Sequence, residues 1–154
     1  MFGSSCSVYG SVRGDDAVDE DGPRRPVSLY AKTMARAEDW LLSRMCRTFR
    51  PRILRQATVF GLSPRMRFDL AVNLMVKTAL QQKKIYVMGG GAQWRPFVHV
   101  RDTSRVVLAA LGGAISSTVI NVGFDEQNTT IEELARRVAS RLGVEVEVVP
   151  EDAD

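Results

Sequence analysis

The chain has 154 residues, 45% of them hydrophobic and 25% charged, with a net charge of +3; this is the profile of one soluble globular domain able to bury a core. Its arginines are spread along the chain rather than massed in one block, which argues against a nucleic-acid footprint, and no apolar run approaches the roughly 20 residues of a membrane span. Cys6 and Cys46 show neither metal-ligand nor disulfide-framework spacing, and no basic-then-apolar leader precedes them, so both are expected to be reduced core thiols of a cytoplasmic protein.

Residues 1 to 10 are small, apolar or hydroxylated, and are expected to form a buried strand ending at Tyr9 and Gly10. The segment SVRGDDAVDEDGPRR that follows is polar and acidic, an exposed loop long enough to be functional. Ser28 is placed to cap a helix over 29–47, in which Tyr30, Met34, Ala37, Leu41 and Met45 recur at helical spacing before Pro51 breaks the pattern. ILRQATVFG, residues 53–61, is a β-branched run that predicts a second buried strand.

A second helix is expected to carry Phe68, Val72, Met75, Val76 and Ala79 on one face. KIYVMGGG and RPFVHV predict short strands on either side of a glycine turn, and STVINVG a further buried strand. Between these, Asp102 is placed to cap a third helix ended by Gly112 and Gly113. Thr129 and Glu132 form a capping box for a fourth helix that turns Ile131, Leu134, Ala135, Val138 and Leu142 inward and stops at Gly143. VEVEVVP alternates as an edge strand does, ahead of an acidic tail. Strands separated by helices argue for a mostly parallel α/β sheet.

Ser5 and Tyr30 bracket the opening stretch. If the first strand and first helix lie side by side, the hydroxyl at the strand's carboxyl end and the phenol on the helix's first turn converge as an acid/base site. On the residues alone, Tyr30 is first read as a ring that anchors the helix start and hydrogen-bonds through its hydroxyl. Asn73 is a helix-face polar residue, Arg95 a surface arginine stacked on Trp94, and His99 a packed or hydrogen-bonded histidine.

Taken together, SSCSVYG and PVSLYAKTM resemble the Ser…Tyr-x-x-x-Lys signature of the extended short-chain dehydrogenase/reductase family, the NAD-dependent epimerases and dehydratases of sugar nucleotides. Members read SS-x-x-VYG and P-x-S-x-Y-x-x-x-K; here Met34 stands where the lysine belongs. The later segments LRQATVFG, PRMRFDLAVNLM, GGGAQWRPFVHVRD and INVG with TTIEEL follow in the family's order. The resemblance implies a partial doubly wound, Rossmann-like parallel sheet with a small α/β substrate-binding lobe. It places residues 1–60 in the second half of the NAD-binding domain, with 101–142 returning to it, and 61–100 with 143–154 in an incomplete lobe.

The resemblance further implies hydride transfer between NAD or NADP and a nucleotide-linked sugar, with Tyr30 as base beside the cofactor and Ser5 orienting the substrate oxygen. Gln56 and Thr58 fall by the nicotinamide, Asn73 and Arg95 on the substrate nucleotide, and Tyr86 and Met88 at its base. An unperturbed tyrosine titrates near pH 10, and a lysine four residues on would favour its phenolate. Met34 cannot supply that charge, and Lys32 lies about 200° around the helix from Tyr30, where a solvated charge is expected.

The family's Gly-x-x-Gly-x-x-Gly turn, which binds the cofactor pyrophosphate, is not among the motifs of this chain, and Gly89-Gly90-Gly91 is not followed by a helix as that turn requires. The chain is therefore expected to begin at the fifth strand of the nucleotide-binding domain, to bind cofactor weakly or not at all, and to expose a sheet edge that a second copy or a partner covers. The alternative to an impaired enzyme is a non-catalytic remnant or interaction module of the same fold.

Overall fold

A computed structural model describes residues 1–11 and 18–150. Three small sheets alternate with four helices: β1 (Phe2–Ser5), α1 (Leu29–Ser43), β2 (Ile53–Gln56), β3 (Thr58–Phe60), α2 (Ala71–Gln82), β4 (Lys84–Val87), β5 (Trp94–His99), α3 (Val100–Leu111), β6 (Val119–Val122), β7 (Asn128–Thr130), α4 (Ile131–Leu142) and β8 (Glu145–Val148). Their orders are β1-β2-β6, all parallel; β3-β5-β7, with β7 antiparallel; and β4-β8, parallel. This is the expected Rossmann-like α/β class. No helix among the described residues is long and apolar enough to cross a membrane.

Several boundaries differ from the sequence expectation for local reasons. The first strand stops at Ser5 rather than Tyr9, because the Ser5 hydroxyl oxygen accepts the Ser7 N–H at 3.2 Å and turns the chain into a 3₁₀ turn, Cys6–Tyr9. Gly10 closes that turn at φ 78°, where a Cβ would stand 2.1 Å from the Arg25 carbonyl oxygen. The expected strand over 53–61 is two strands in two sheets. The Ala57 N–H still bonds the Val122 carbonyl beside β2, and from Thr58 onward the chain pairs with β5 instead.

The first helix ends at Ser43, a turn earlier than expected, and Phe68 precedes α2 instead of lying on it. The α3 cap is His99, whose Nδ1 accepts the Arg101 N–H, while Asp102 sits in the first turn and pairs with Arg105. The α4 cap is shifted by one: the Thr130 hydroxyl accepts the Glu133 N–H and the Thr129 hydroxyl donates to the Glu133 carboxylate. Leu142 is exposed, not inward, and Cys46 is exposed rather than a core thiol. The opening strand β1 and the strand β6 flank β2, so β1 is an outer strand of its sheet among the described residues. The expected loop over 11–25 includes 12–17, and the acidic tail 151–154; both segments lie outside the described residues.

Three apolar clusters form the core. Val8, Tyr9 and Ala35 join the turn after β1 to α1; Leu54, Ala57, Val98 and Val122 fill the space under α3; Met75, Ala79, Ile85, Val87, Ala135 and Ala139 join α2, α4 and β4. In the last cluster the small Ala135 and Ala139 bring α4 against α2, β4 and β8, whereas the sequence reading grouped α4 with the nucleotide-binding part. The glycine turn belongs to the same cluster. The Glu132 N–H bonds the Gly91 carbonyl, and a Cβ on Gly91 would meet Val87 Cγ1 at 2.5 Å, so this turn seats the start of α4.

Candidate active site

At the carboxyl end of β1, the in-register partner of Ser5 is Gln56 at the end of β2. Gln56 lies across Gly3: a Cβ there would come within 3.2 Å of its Nε2, so the glycine leaves room for the amide. With one lone pair of the Ser5 oxygen taken by Ser7, its O–H remains able to donate. Thr58 lies two residues past Gln56, at the start of β3 beside Phe97.

Tyr30 is carried on the first turn of α1, behind the Ser28 cap that accepts the Ala31 N–H at 3.1 Å. The helix packs against β1 and the turn that follows Ser5. Met34, one turn further on, packs on the cluster of Val8, Tyr9 and Ala35, the role of an apolar filler. The Tyr30 ring is 56% exposed. Arg67 lies within electrostatic range of its phenol and holds a bidentate pair with Asp69, which keeps the Asp69 carboxyl at about 2. Lys32 is exposed, as expected of a solvated charge.

Arg95 is an exposed residue of β5 whose guanidinium reaches the field of the Cys6 thiol: burial pushes that thiol up and Arg95 opposes the rise. Asn73 is buried, and both ends of its amide are used locally, Nδ2 donating to the Arg67 carbonyl at 3.1 Å and Oδ1 accepting the Gly61 N–H at 3.4 Å. It lines an open, mainly apolar groove of about 490 Å³ between Phe60, Leu62, Phe68, Val76 and Leu80. Tyr86, Met88 and Arg95 are not part of that groove; Tyr86 and Met88 are exposed, with Lys84 over the Tyr86 ring at 5.7 Å. His99 packs edge-on against Phe60 at 5.3 Å and caps α3. Among the described residues no three His, Cys, Asp or Glu side chains are grouped to hold a metal ion.

A buried polar cluster beside the pair went unread in the sequence. Arg55, 4% exposed in the middle of β2, donates to the fully buried Glu38 carboxylate from Nε at 3.1 Å and from Nη2 at 2.8 Å, and from Nη1 to the Tyr9 hydroxyl at 2.7 Å and the Glu20 carbonyl at 2.9 Å. Ser4 donates to the same carboxylate, as does Arg24 at 3.3 Å, and the Tyr9 hydroxyl donates to Asn121 at 2.7 Å. Burial opposes the Arg55 charge, and its bonds to Glu38 and Tyr9 outweigh that cost and hold it protonated. An arginine inside an apolar strand, and a glutamate on the Ala31/Ala35 face of a helix, were the signals available.

Parallel strands alternating with helices, with Ser5 at a strand end and Tyr30 on the first turn of the adjoining helix, define an α/β protein of the Rossmann-like class. Residues 1–123 match the model of the NAD dependent epimerase/dehydratase family, and the chain belongs to that family. It is 31% identical over 139 residues, 86% of this chain and 41% of the relative, to a Bacillus subtilis protein described as an uncharacterized UDP-glucose epimerase. To the dTDP-glucose 4,6-dehydratase of Neisseria gonorrhoeae it is 31% identical over 84% of this chain and 37% of that one.

Solved structures agree. The Bacillus anthracis dTDP-glucose 4,6-dehydratase in complex with NAD superposes with a TM-score of 0.84 at 26% identity, covering 99% of this chain and 49% of that one. The Bacillus cereus UDP-glucuronic acid 4-epimerase, solved with UDP-glucuronic acid and NAD, gives 0.79 at 29% identity over 97% and 48%. The chain thus spans about half the length, or less, of the relatives it matches.

Proposed function

We propose that this chain carries the proton-transfer part of an NAD-dependent epimerase/dehydratase acting on a nucleotide-linked sugar, in a form impaired by Met34. The observation that carries the reading is the packing of α1 on β1 and on the turn after Ser5, which joins the Ser5 strand end and the Tyr30 turn on neighbouring elements. Tyr30 is the proton acceptor in this reading, and the Ser5 O–H holds the substrate oxygen from which the proton leaves. NAD, when bound, supplies the hydride acceptor. Ser5, Tyr30, Gln56 and Thr58 suit its nicotinamide end. The glycine cluster does not suit its pyrophosphate, because Gly91 is already closed against Val87 and Glu132. Weak binding of NAD or NADP follows.

Asn73 and Arg95 are the groups for the substrate nucleotide, and Tyr86 and Met88, exposed on and just after β4, offer a surface to its base. We divide the chain into a nucleotide-side unit, residues 1–60 and 101–142, and a substrate-side unit, 61–100 and 143–154, with α4 spanning the two in function and packing on the second. Among the described residues β1 is an outer strand, an edge that suits pairing with a second copy or a partner. The free thiols Cys6 and Cys46 fit a cytoplasmic setting.

A second reading, a non-catalytic module, is favoured by Met34, which packs partly buried on Val8, Tyr9 and Ala35 as an apolar filler. Fluorescence titration of the chain with NADH, followed by turnover assays on UDP- and dTDP-sugars, separates the two. Met34→Lys is expected to raise cofactor affinity or turnover above wild type, its ammonium lying one turn from the phenol. No gain in either, in a folded variant, would overturn the enzymatic reading.

A further inference from the structure

We infer that Glu38 is the positioning residue of the Ser5/Tyr30 pair: its buried carboxylate ties β1, β2 and the chain entering α1 to one point on the helix, and so sets where Tyr30 stands relative to Ser5. The inference rests on the reading of those two residues as an acid/base pair. Three side chains bond this carboxylate from separate elements. The Ser4 hydroxyl, from the residue next to Ser5, donates to Oε1. Arg55, from β2, donates to both oxygens and also holds Tyr9, the last residue of the turn after Ser5. Arg24 donates to Oε2 and to the Ala35 carbonyl, and bonds Asp39 through its other nitrogen.

The geometry is that of a clamp on the middle of α1, about two turns past Tyr30. Arg24 lies six residues before Tyr30 yet bonds α1 at 35, 38 and 39, so the lead-in doubles back along the helix and Tyr30 sits near the bend. Its other fastenings are part-buried: Asn121 donates its N–H to the Glu20 carboxylate and its side-chain Nδ2 to the Val18 carbonyl, while Arg55 bonds the Glu20 carbonyl. The other fully buried side chains of α1 are the small Ala31 and Ala35, with Met34 partly buried beside them on Val8 and Tyr9, so Glu38 is the polar anchor of this face. Glu38 supplies the keying contact, through bonds of fixed direction.

The test reads Tyr30 directly and needs no turnover. The chain has three tyrosines, Tyr9, Tyr30 and Tyr86, so 3-fluorotyrosine labelling gives three fluorine resonances, with that of Tyr30 assigned by Tyr30→Phe. In the double variant Glu38→Leu/Arg55→Met both charges leave together, an exchange that folds commonly tolerate. The Tyr30 resonance is expected to shift or double, with that of Tyr86 unchanged and the melting temperature retained. A Tyr30 resonance identical to wild type in the folded double variant would overturn the inference. Should that variant fail to fold, Arg24→Gln, which removes one partly exposed arm, is judged by the same two resonances. A Tyr30 response alongside a Met34→Lys variant that gains no cofactor affinity or turnover would support the positioning while striking down the enzymatic reading.

Discussion

Arg55 sits between Leu54 and Gln56 in the middle strand of its sheet, where an unpaired charge would not survive folding. Its partner Glu38 is 17 residues earlier, a contact that no local period encodes. For the same reason Ser5 and Tyr30 were legible as residues, through the motif around each, while the cluster that joins their elements was not. The cysteines give a residue-scale prediction. Burial raises the Cys6 thiol, whereas the Thr48 hydroxyl and the backbone N–H groups of Thr48 and Phe49 lower that of exposed Cys46. The thiolate is the reactive form, so exposed Cys46 is expected to alkylate first and the partly buried Cys6 more slowly. Mass spectrometry of peptides after a short iodoacetamide exposure checks this; equal labelling would refute it.

At the scale of elements, helices were read well and their edges less so. Periodicity located all four helices, since it needs only side chains a turn apart. Caps depend on which of two adjacent threonines accepts the helix N–H, and at α4 that is Thr130, with the buried Thr129 donating to the Glu133 carboxylate. The split of ILRQATVFG was hidden because every residue in it suits a strand; only the pairing of Thr58 with Phe97 separates the two sheets. The α4 cap carries a pH dependence. Hydrogen bonding from Thr129, then from Arg137, holds the Glu133 carboxyl below the ordinary carboxylate range. A group with a depressed folded value stabilises above its unfolded value and loses that contribution as pH falls through the folded one. Helical circular dichroism during acid titration is therefore expected to show α4 loosening below the normal carboxylate range. In Thr130→Ala, where the cap loss costs about 1 kcal/mol, the acid limb should begin at higher pH.

On the scale of the whole chain, the three clusters meet little. Ile85, 1% exposed, fills the space among α2, α4, β4 and β8, while Leu54 and Val122 are buried under α3. One link between these regions is a backbone bond, from the Ile131 N–H to the Gln93 carbonyl. A cavity at Ile85 should thus loosen one region and spare the other. Ile85→Ala is expected to cost about 2–5 kcal/mol within its own cluster. Hydrogen exchange should show protection falling together across β4, β8, α2 and α4, while the amides of Ile53 and Ala57, bonded to the Thr118 and Val122 carbonyls, keep theirs. Uniform loss through both regions would show one cooperative unit instead. The same experiment bears on function, because the spared region holds Ser5 and Gln56 and the loosened one holds Asn73 and Tyr86. Separate unfolding would mean that the residues proposed for the substrate can adjust, or be lost, without disturbing the hydroxyl at the end of β1.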